Sequence, residues 1–247
     1  MRVKSTLRMF WLFACCSLGF ALPAMADVTV LARYTLVNGD TLTRASYYSS
    51  RRVRVTAPDG KEFIYDSKSD QVTVINHPDN VYWTGPLSQA DSIATRMLNA
   101  SRREIGKVAT QDLEAWTAKI QSFNDSIKVT RTEKTSKIAG YPTTQWLLSA
   151  GPYMQHERWV ARSLAVANYG PELEKVVMAS IMDPLGQVLM KMLIGLRSAD
   201  GLPLAAKTSF RTPSRSGSFS FEAVRVIGTS IPATAWEIPK DYARIEL

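Results

Sequence analysis

The sequence predicts an α+β fold: a strongly curved antiparallel sheet of about eleven strands, with two helical insertions. Three observations carry this reading. Short strand-like runs joined by Gly, Pro, Asp and Asn occupy both halves of the chain. Two segments between them change the hydrophobic period from two residues to between three and four. Mid-sequence, Lys137-Ile138-Ala139-Gly140-Tyr141-Pro142 leads into a strand from Thr143 to Ser149, a turn at Gly151-Pro152 and a return strand ending Glu157-Arg158-Trp159-Val160. That stretch reads as the hairpin from which the halves of the sheet extend.

The first residues set the compartment. Arg2, Lys4 and Arg8 precede an apolar run from Met9 to Leu22, and Ala24 and Ala26 put small residues before Asp27. This is the pattern of a secretory signal peptide, residues 1–26, cleaved after Ala26. The apolar run is shorter than the roughly 18 residues that span a bilayer, so no transmembrane segment is expected in the mature chain. Lipoprotein processing at Leu12-Phe13-Ala14-Cys15 is the rival, disfavoured by bulky Phe13 where a small residue belongs. Removing 26 of the 247 residues leaves 221 and takes away both cysteines, Cys15 and Cys16. A mature chain without thiols has no disulfide, no thiolate nucleophile and no thiolate metal site. Its net charge falls from +8 to +5 as the three basic residues leave. With acidic residues scattered throughout, that balance fits an anionic surface at most, and no nucleic-acid partner is expected.

In chain order, Val28 to Val37 is rich in β-formers and ends at Asn38-Gly39-Asp40, a turn signal. A second strand runs through Tyr47-Tyr48. Val53, Val55 and Ala57 then alternate with Arg52, Arg54 and Thr56, a half-buried strand whose basic side should face water. Turns at Pro58-Asp59-Gly60, Ser67 to Asp70 and His77-Pro78-Asp79-Asn80 separate Phe63-Ile64-Tyr65, Val72 to Ile75 and Val81-Tyr82-Trp83. From Pro86, the residues Ile93, Met97, Ile105, Val108, Leu113, Trp116 and Ile120 fall near one helical stripe. Strand patterning resumes at Ile127 and Val129. The second helical segment, Pro171 to Arg197, is apolar nearly all round, with a break near Pro184. A helix apolar on most faces must be covered on most faces, by sheet, helix or ligand. Beyond Gly201-Leu202-Pro203 the strands return, and a slip in phase between Phe219/Phe221 and Val224/Val226 predicts a bulge near Glu222. Trp236 to Tyr242 reads as a last strand closed by a proline turn.

Ile138-Ala139-Gly140-Tyr141, Trp159-Val160 and the ending Trp236 to Tyr242 resemble the bacterial secreted family called domain of unknown function 4412, over most of the mature chain. That family is similar to the periplasmic lipoprotein carriers and receptors of the LolA/LolB type. The resemblance implies one half-barrel domain over 27–247: an unclosed antiparallel barrel whose concave, apolar face is plugged by helices. The order of elements departs from the carriers, with helices after the first meander and again after the central hairpin. No motif locates the carriers' functional residues in this chain, so their activity does not follow from the likeness.

The chemistry-bearing residues are sparse. His77 stands beside Pro78 in a turn and His156 on a hairpin strand; without repeated spacing they make a poor metal or acid-base pair, and structural roles are expected. Glu157 and Arg158, neighbours on a strand, point to opposite faces. No glycine-flanked nucleophile elbow occurs, so neither enzymatic activity nor a cofactor is expected. Arg44, Arg51, Arg52 and Arg54 read as a solvated basic face, with contact to an anionic headgroup as the functional alternative.

Only the methionine-rich segment has a functional reading that rivals core packing, that of a lid over a hydrophobic cavity. Val177, Ile181, Leu185, Leu189 and Met192 would line the cavity, with Met182 and Leu193 at its mouth. Two functions follow. One is a non-enzymatic periplasmic protein that binds or carries an acyl chain, lipid or lipidated peptide. The other is an envelope interaction protein with a self-filled core, working through its surface and an exposed strand edge. A monomer is expected in both. The mature protein should begin at Asp27, so the intact mass of material recovered from the periplasm should equal that of 27–247. A diacylglycerol-modified Cys15 would refute this and place the protein on a membrane.

Overall fold

The computed structural model describes residues 27–57, 60–89, 126–164, 176–177, 201–211 and 216–246. Of these, 65% are strand and 7% helical, with no helix of seven or more residues. The expected α+β class with helical insertions plugging the sheet is thereby corrected: the described chain is one unclosed sheet of twelve strands, close to the eleven expected. Pro86, where the helical spacing begins, ends a strand, and among the described residues a short 3-10 turn at Leu87–Gln89 follows it. Apolar spacing alone does not distinguish a helical stripe from chain folded against a sheet. The remainder of the first expected helical stretch, and Pro171 to Arg197 apart from 176–177, lie outside the described residues.

The first meander comprises β1 (Val28–Thr35), β2 (Thr41–Tyr48), β3 (Arg52–Thr56), β4 (Lys61–Asp66), β5 (Gln71–Asn76) and β6 (Val81–Pro86). The second comprises β7 (Ile127–Ile138), β8 (Tyr141–Ala150), β9 (Met154–Ala161), β10 (Leu202–Arg211) and β11 (Ser216–Ile227). A two-residue β12 (Ala243–Arg244) returns to pair parallel with β6. The strand order is β12-β6-β5-β4-β3-β2-β1-β11-β10-β9-β8-β7. The hairpin between Ile138 and Val160 is antiparallel and belongs to this sheet, as its turns require. It does not lie at the centre. β7 is the outer edge, and the halves meet where β1 pairs with β11.

Local chemistry explains the turns. Ile138 pairs with Tyr141, which leaves Ala139 and Gly140 as a two-residue loop with φ of 48° and 91°. Two positive values define a type I′ turn, whose twist matches that of the strands it joins. The bulge expected near Glu222 falls at Val224: Leu31 pairs with Arg225 and Ala32 with Ala223. The last expected strand is also corrected. Ala233–Trp236 is a 3-10 turn, Tyr242 donates its amide to the Pro239 carbonyl, and only Ala243–Arg244 is strand. Pro239 supplies no amide for a ladder, which shortens what can pair.

The sheet curls. Cα atoms of β7 and β11 approach within 8 Å although β8, β9 and β10 separate them. A flat sheet would hold them about 19 Å apart at the ordinary strand spacing. Alternation sorts the first meander into two faces. Val28, Val30, Ala32, Tyr48, Val53, Phe63, Val72, Val74 and Trp83 share one face and one apolar cluster, which Leu202, Leu204 and Ala223 continue into the second meander. Gly85 belongs to this face, two residues beyond Trp83 and opposite Val72. A Cβ on Gly85 would lie 2.2 Å from the buried indole of Trp83. Gly85→Ala should therefore overpack the cluster and cost about 1–3 kcal/mol. A lower urea midpoint at unchanged slope is the expected reading, and an unchanged midpoint would contradict this packing.

Candidate functional site

Burial on the apolar face changes along the strands. On β1, Val28, Val30 and Ala32 are buried and Tyr34 is half-buried. On β2 opposite them, Tyr48 and Ser46 are buried, Arg44 is exposed and Leu42 is half-buried. On β11, Ala223 is buried while Phe221 and Phe219 are half-buried. The face is closed at the Val28 end and open at the Tyr34 end. Tyr34 and Phe221 are cross-strand partners with ring centroids 5.8 Å apart. Val37, in the β1–β2 connection, reaches the neighbouring hairpin; a Cβ on Gly217 would lie 2.7 Å from its methyl and 3.1 Å from the Phe210 ring. Burial of its ring pushes the Tyr34 hydroxyl up to about 12, against opposing pulls from the Ser46 side chain and the Arg44 charge. The open end is thus an aromatic rim beside which Arg44 stands, and Arg158, opposite Ala206, lies on the same face one strand beyond Phe221 and its partner.

The sequence-predicted lining is only partly within the described chain. Val177 packs half-buried against the apolar cluster, beside the fully buried Val176. Ile181, Met182, Leu185, Leu189, Met192 and Leu193 lie outside the described residues. Sequence reasoning missed Tyr34, Leu42, Phe219 and Phe221. Their signal was the phase they share with Val30, Ala32 and Ala223, which only the pairing of β1 with β11 aligns.

The opposite face of the first meander is polar, and it is open to water only in part: the Arg51 and Arg52 side chains are 47% and 37% exposed, whereas Arg54 is 12% exposed. Arg51 and Arg52 both bond Asp66, with Arg51 Nε and Nη2 at 2.9 and 2.8 Å and Arg52 Nε at 2.8 Å. Arg54 pairs with Glu62 and donates from Nη1 to the carbonyls of Ala235 at 2.7 Å and Glu237 at 3.4 Å. Thr56 donates to Glu62 at 3.1 Å, and His77 Nε2 lies 3.2 Å from the same carboxylate. On its other side His77 Nδ1 meets the Tyr242 hydroxyl at 2.7 Å. Tyr47, on this face, meets the Trp236 ring edge-on at 6.3 Å. The C-terminal tail therefore crosses this face as a strap latched by Arg54, Glu62 and His77. The cover comes from residues nearly two hundred positions downstream, so strand periodicity cannot reveal it.

His156 is buried, with Nδ1 2.9 Å from Thr208 Oγ1. Burial, and then the Arg158 charge, hold its pKa well below the usual imidazole value, so the ring is neutral. Its Nε2 has no hydrogen-bond partner among the described residues. Glu157 accepts a bond from Trp159 Nε1 at 2.6 Å and stands opposite Lys207. Among the described residues no group of three or more His, Cys, Asp or Glu could hold a metal ion. No helix among them is long and apolar enough to cross a membrane.

No family model and no curated protein matches the chain. Among solved structures it is similar to PNGF-II, at 14% identity and a TM-score of 0.42, covering 90% of this chain and 31% of that one. It is similar to the MucA/MucB complex of Pseudomonas aeruginosa, at 10% identity and 0.39, covering 91% of this chain and 59% of that one. It is similar to a LolA-superfamily protein from Nitrosomonas europaea, at 9% identity and 0.25, covering 87% and 91%. With TM-scores below 0.5 these likenesses assign neither a fold family nor a function, and the family resemblance rests on its short motifs alone.

The latch makes stability depend on pH. Burial would raise Glu62, but the Arg54 charge and bonds from Arg54 and His77 outweigh it and hold the carboxyl below its ordinary 4.5. Bonds from Arg51 and Arg52 lower Asp66 in the same sense. A carboxyl depressed by folding stabilises the fold above its unfolded value and loses that contribution as the pH falls through its folded value. Stability should therefore decline on acidification below about pH 4.5. Glu62→Gln should flatten that decline, cost about 1–3 kcal/mol at neutral pH and speed amide exchange across 233–246. Unchanged exchange in the tail would contradict the latch.

Proposed function

We propose that this is a non-enzymatic periplasmic protein that binds or carries an apolar ligand, an acyl chain, lipid or lipidated peptide. The ligand lies between the apolar face of the curled sheet and the 171–197 segment. One observation carries the reading: the apolar face is buried at one end and only half-buried at the other, at Tyr34, Leu42, Phe219 and Phe221. Aromatic and aliphatic side chains sharing an open edge are the usual wall of a site for hydrocarbon. Val176 and Val177, packed on the same cluster, support contact between that face and the start of the segment. Ile181, Leu185, Leu189 and Met192 remain the proposed lining, with Met182 and Leu193 at its mouth. No metal or cofactor enters this reading.

The alternative is docking of an envelope partner along the edge strand β7. Exposed Lys128, Arg131, Lys134 and Lys137 on an irregular strand weigh against it, because charges and bulges are what keep sheet edges from pairing.

Native mass spectrometry of protein taken from periplasm, beside organic extraction of the same sample, tests the proposal. A stoichiometric lipid is expected; a clean apo mass without delipidation would remove this reading. Leu189→Ala should weaken uptake of a fluorescent fatty-acid probe while costing less than the roughly 2–5 kcal/mol of a packed core site.

A further inference from the structure

The basic character of the chain is concentrated in one half of the sheet. Among the described residues, 27–89 and 228–246 carry nine basic and nine acidic side chains, whereas 126–227 carry nine basic and three acidic. The cations of the first half are also engaged, since Asp66 holds Arg51 and Arg52 and Glu62 holds Arg54. In the second half the excess is densest on the outer edge strand β7, where Lys128, Arg131, Lys134 and Lys137 are exposed and Glu133 is the one acidic residue. None of the four makes an ion pair among the described residues. We infer that this edge docks the protein on an anionic phospholipid bilayer, with these four side chains meeting headgroup phosphates.

Protection of the edge does not by itself account for four cations. The pairing of β7 with β8 already slips between Arg131 and Thr135, and that irregularity spoils the edge as a template for another strand. The cations recur at every third residue, about 10 Å apart along an extended strand. That is no closer than the Debye length of about 8 Å at physiological salt, so they act as a row of separate contacts. A row of this kind does not converge on one small anion; it matches a surface on which anions repeat. Lys128 and Arg131 start from opposite faces of the strand, but their long stems carry both charges out to the rim. β7 has no aromatic side chain on which a base could stack, which sets nucleic acid aside. Beside it Leu147, 40% exposed, is the one large hydrophobic exposed on β7, β8 or β9. A single apolar side chain does not make the buried centre of a protein interface and gives little to insert into hydrocarbon. Attachment is therefore by charge.

Sedimentation with vesicles tests this on the mature chain, 27–247, using phosphatidylcholine alone and phosphatidylcholine mixed equally with phosphatidylglycerol. Binding is expected to the mixture only, and it should be lost as salt is raised. Each cation near such a surface adds about fivefold to partitioning, so the double variant Lys134→Gln/Lys137→Gln should bind about 25-fold more weakly. Glu133→Gln, which removes the opposing charge, should bind more tightly. Lys68→Gln/Lys240→Gln takes the same charge from the balanced half and should bind as wild type does. All these positions are exposed, and matching melting curves will show that the variants fold. Equal loss in the two double variants would reduce the effect to net charge and overturn the docking edge. So would binding that survives high salt, or no binding to the anionic mixture at low salt. Polyglutamate of matching charge held more tightly than vesicles, through the same lysines, would make the partner an acidic protein and overturn the membrane assignment.

Discussion

The pairing of β1 with β11 is the contact on which the remaining architecture depends. Each meander is built from hairpins that local turns can specify, but nothing local joins Thr29 to Ile227. Without that ladder both strands would be edges with open rows of amides and carbonyls. The apolar cluster would also divide, since Val28, Val30 and Ala32 lie on one side of the seam and Leu202, Leu204 and Ala223 on the other. The bulge at Val224 is part of the same solution. It lets Phe221, Ala223 and then Val226 all pack towards the cluster, which strict alternation along β11 would forbid.

The first meander uses both of its faces, for different purposes. One face supplies apolar area. The other supplies the polar groups that hold the tail, and with it the burial of Ile64 and Ile75, which lie outside the main cluster. Half-burying Arg54 is tolerable only because Glu62 and two backbone carbonyls of the tail replace the water it loses. The strap in turn donates the amides of Ala243 and Ile245 to the carbonyls of Asn80 and Tyr82 along β6. The two edges of the sheet are thus protected differently, one by a covering segment and the other by charge and irregularity on β7.

Strands were legible where one side of the chain meets a core and the other does not, as in Arg52 to Ala57 with Val53 and Val55 alternating. Turns were legible where backbone chemistry is restrictive, as at Asn38-Gly39 and Ala139-Gly140. Sequence could not show which strands become neighbours, because pairing between β1 and β11 leaves no local mark. For the same reason sequence alone points to the hairpin around Gly151 as the centre, whereas it lies towards an edge. Arg54 looked like a solvated cation because its cover is contributed by Ala235 and Glu237, far along the chain. Arg44 could be distinguished from Arg52 and Arg54 only once their faces were known.

The seam between β1 and β11 also imposes a schedule. Chains are made from the amino terminus at about 5–20 residues per second, so β1 emerges on the order of ten seconds or more before its second partner. During that interval β2 can satisfy only one side of it, and Val28, Val30 and Ala32 have nothing from the second meander to pack on. The protein's most exposed moment is therefore set by its topology rather than by any single weak element. A nascent chain of this design should lean on chaperones until its last long strand arrives, whatever the stability of the finished sheet.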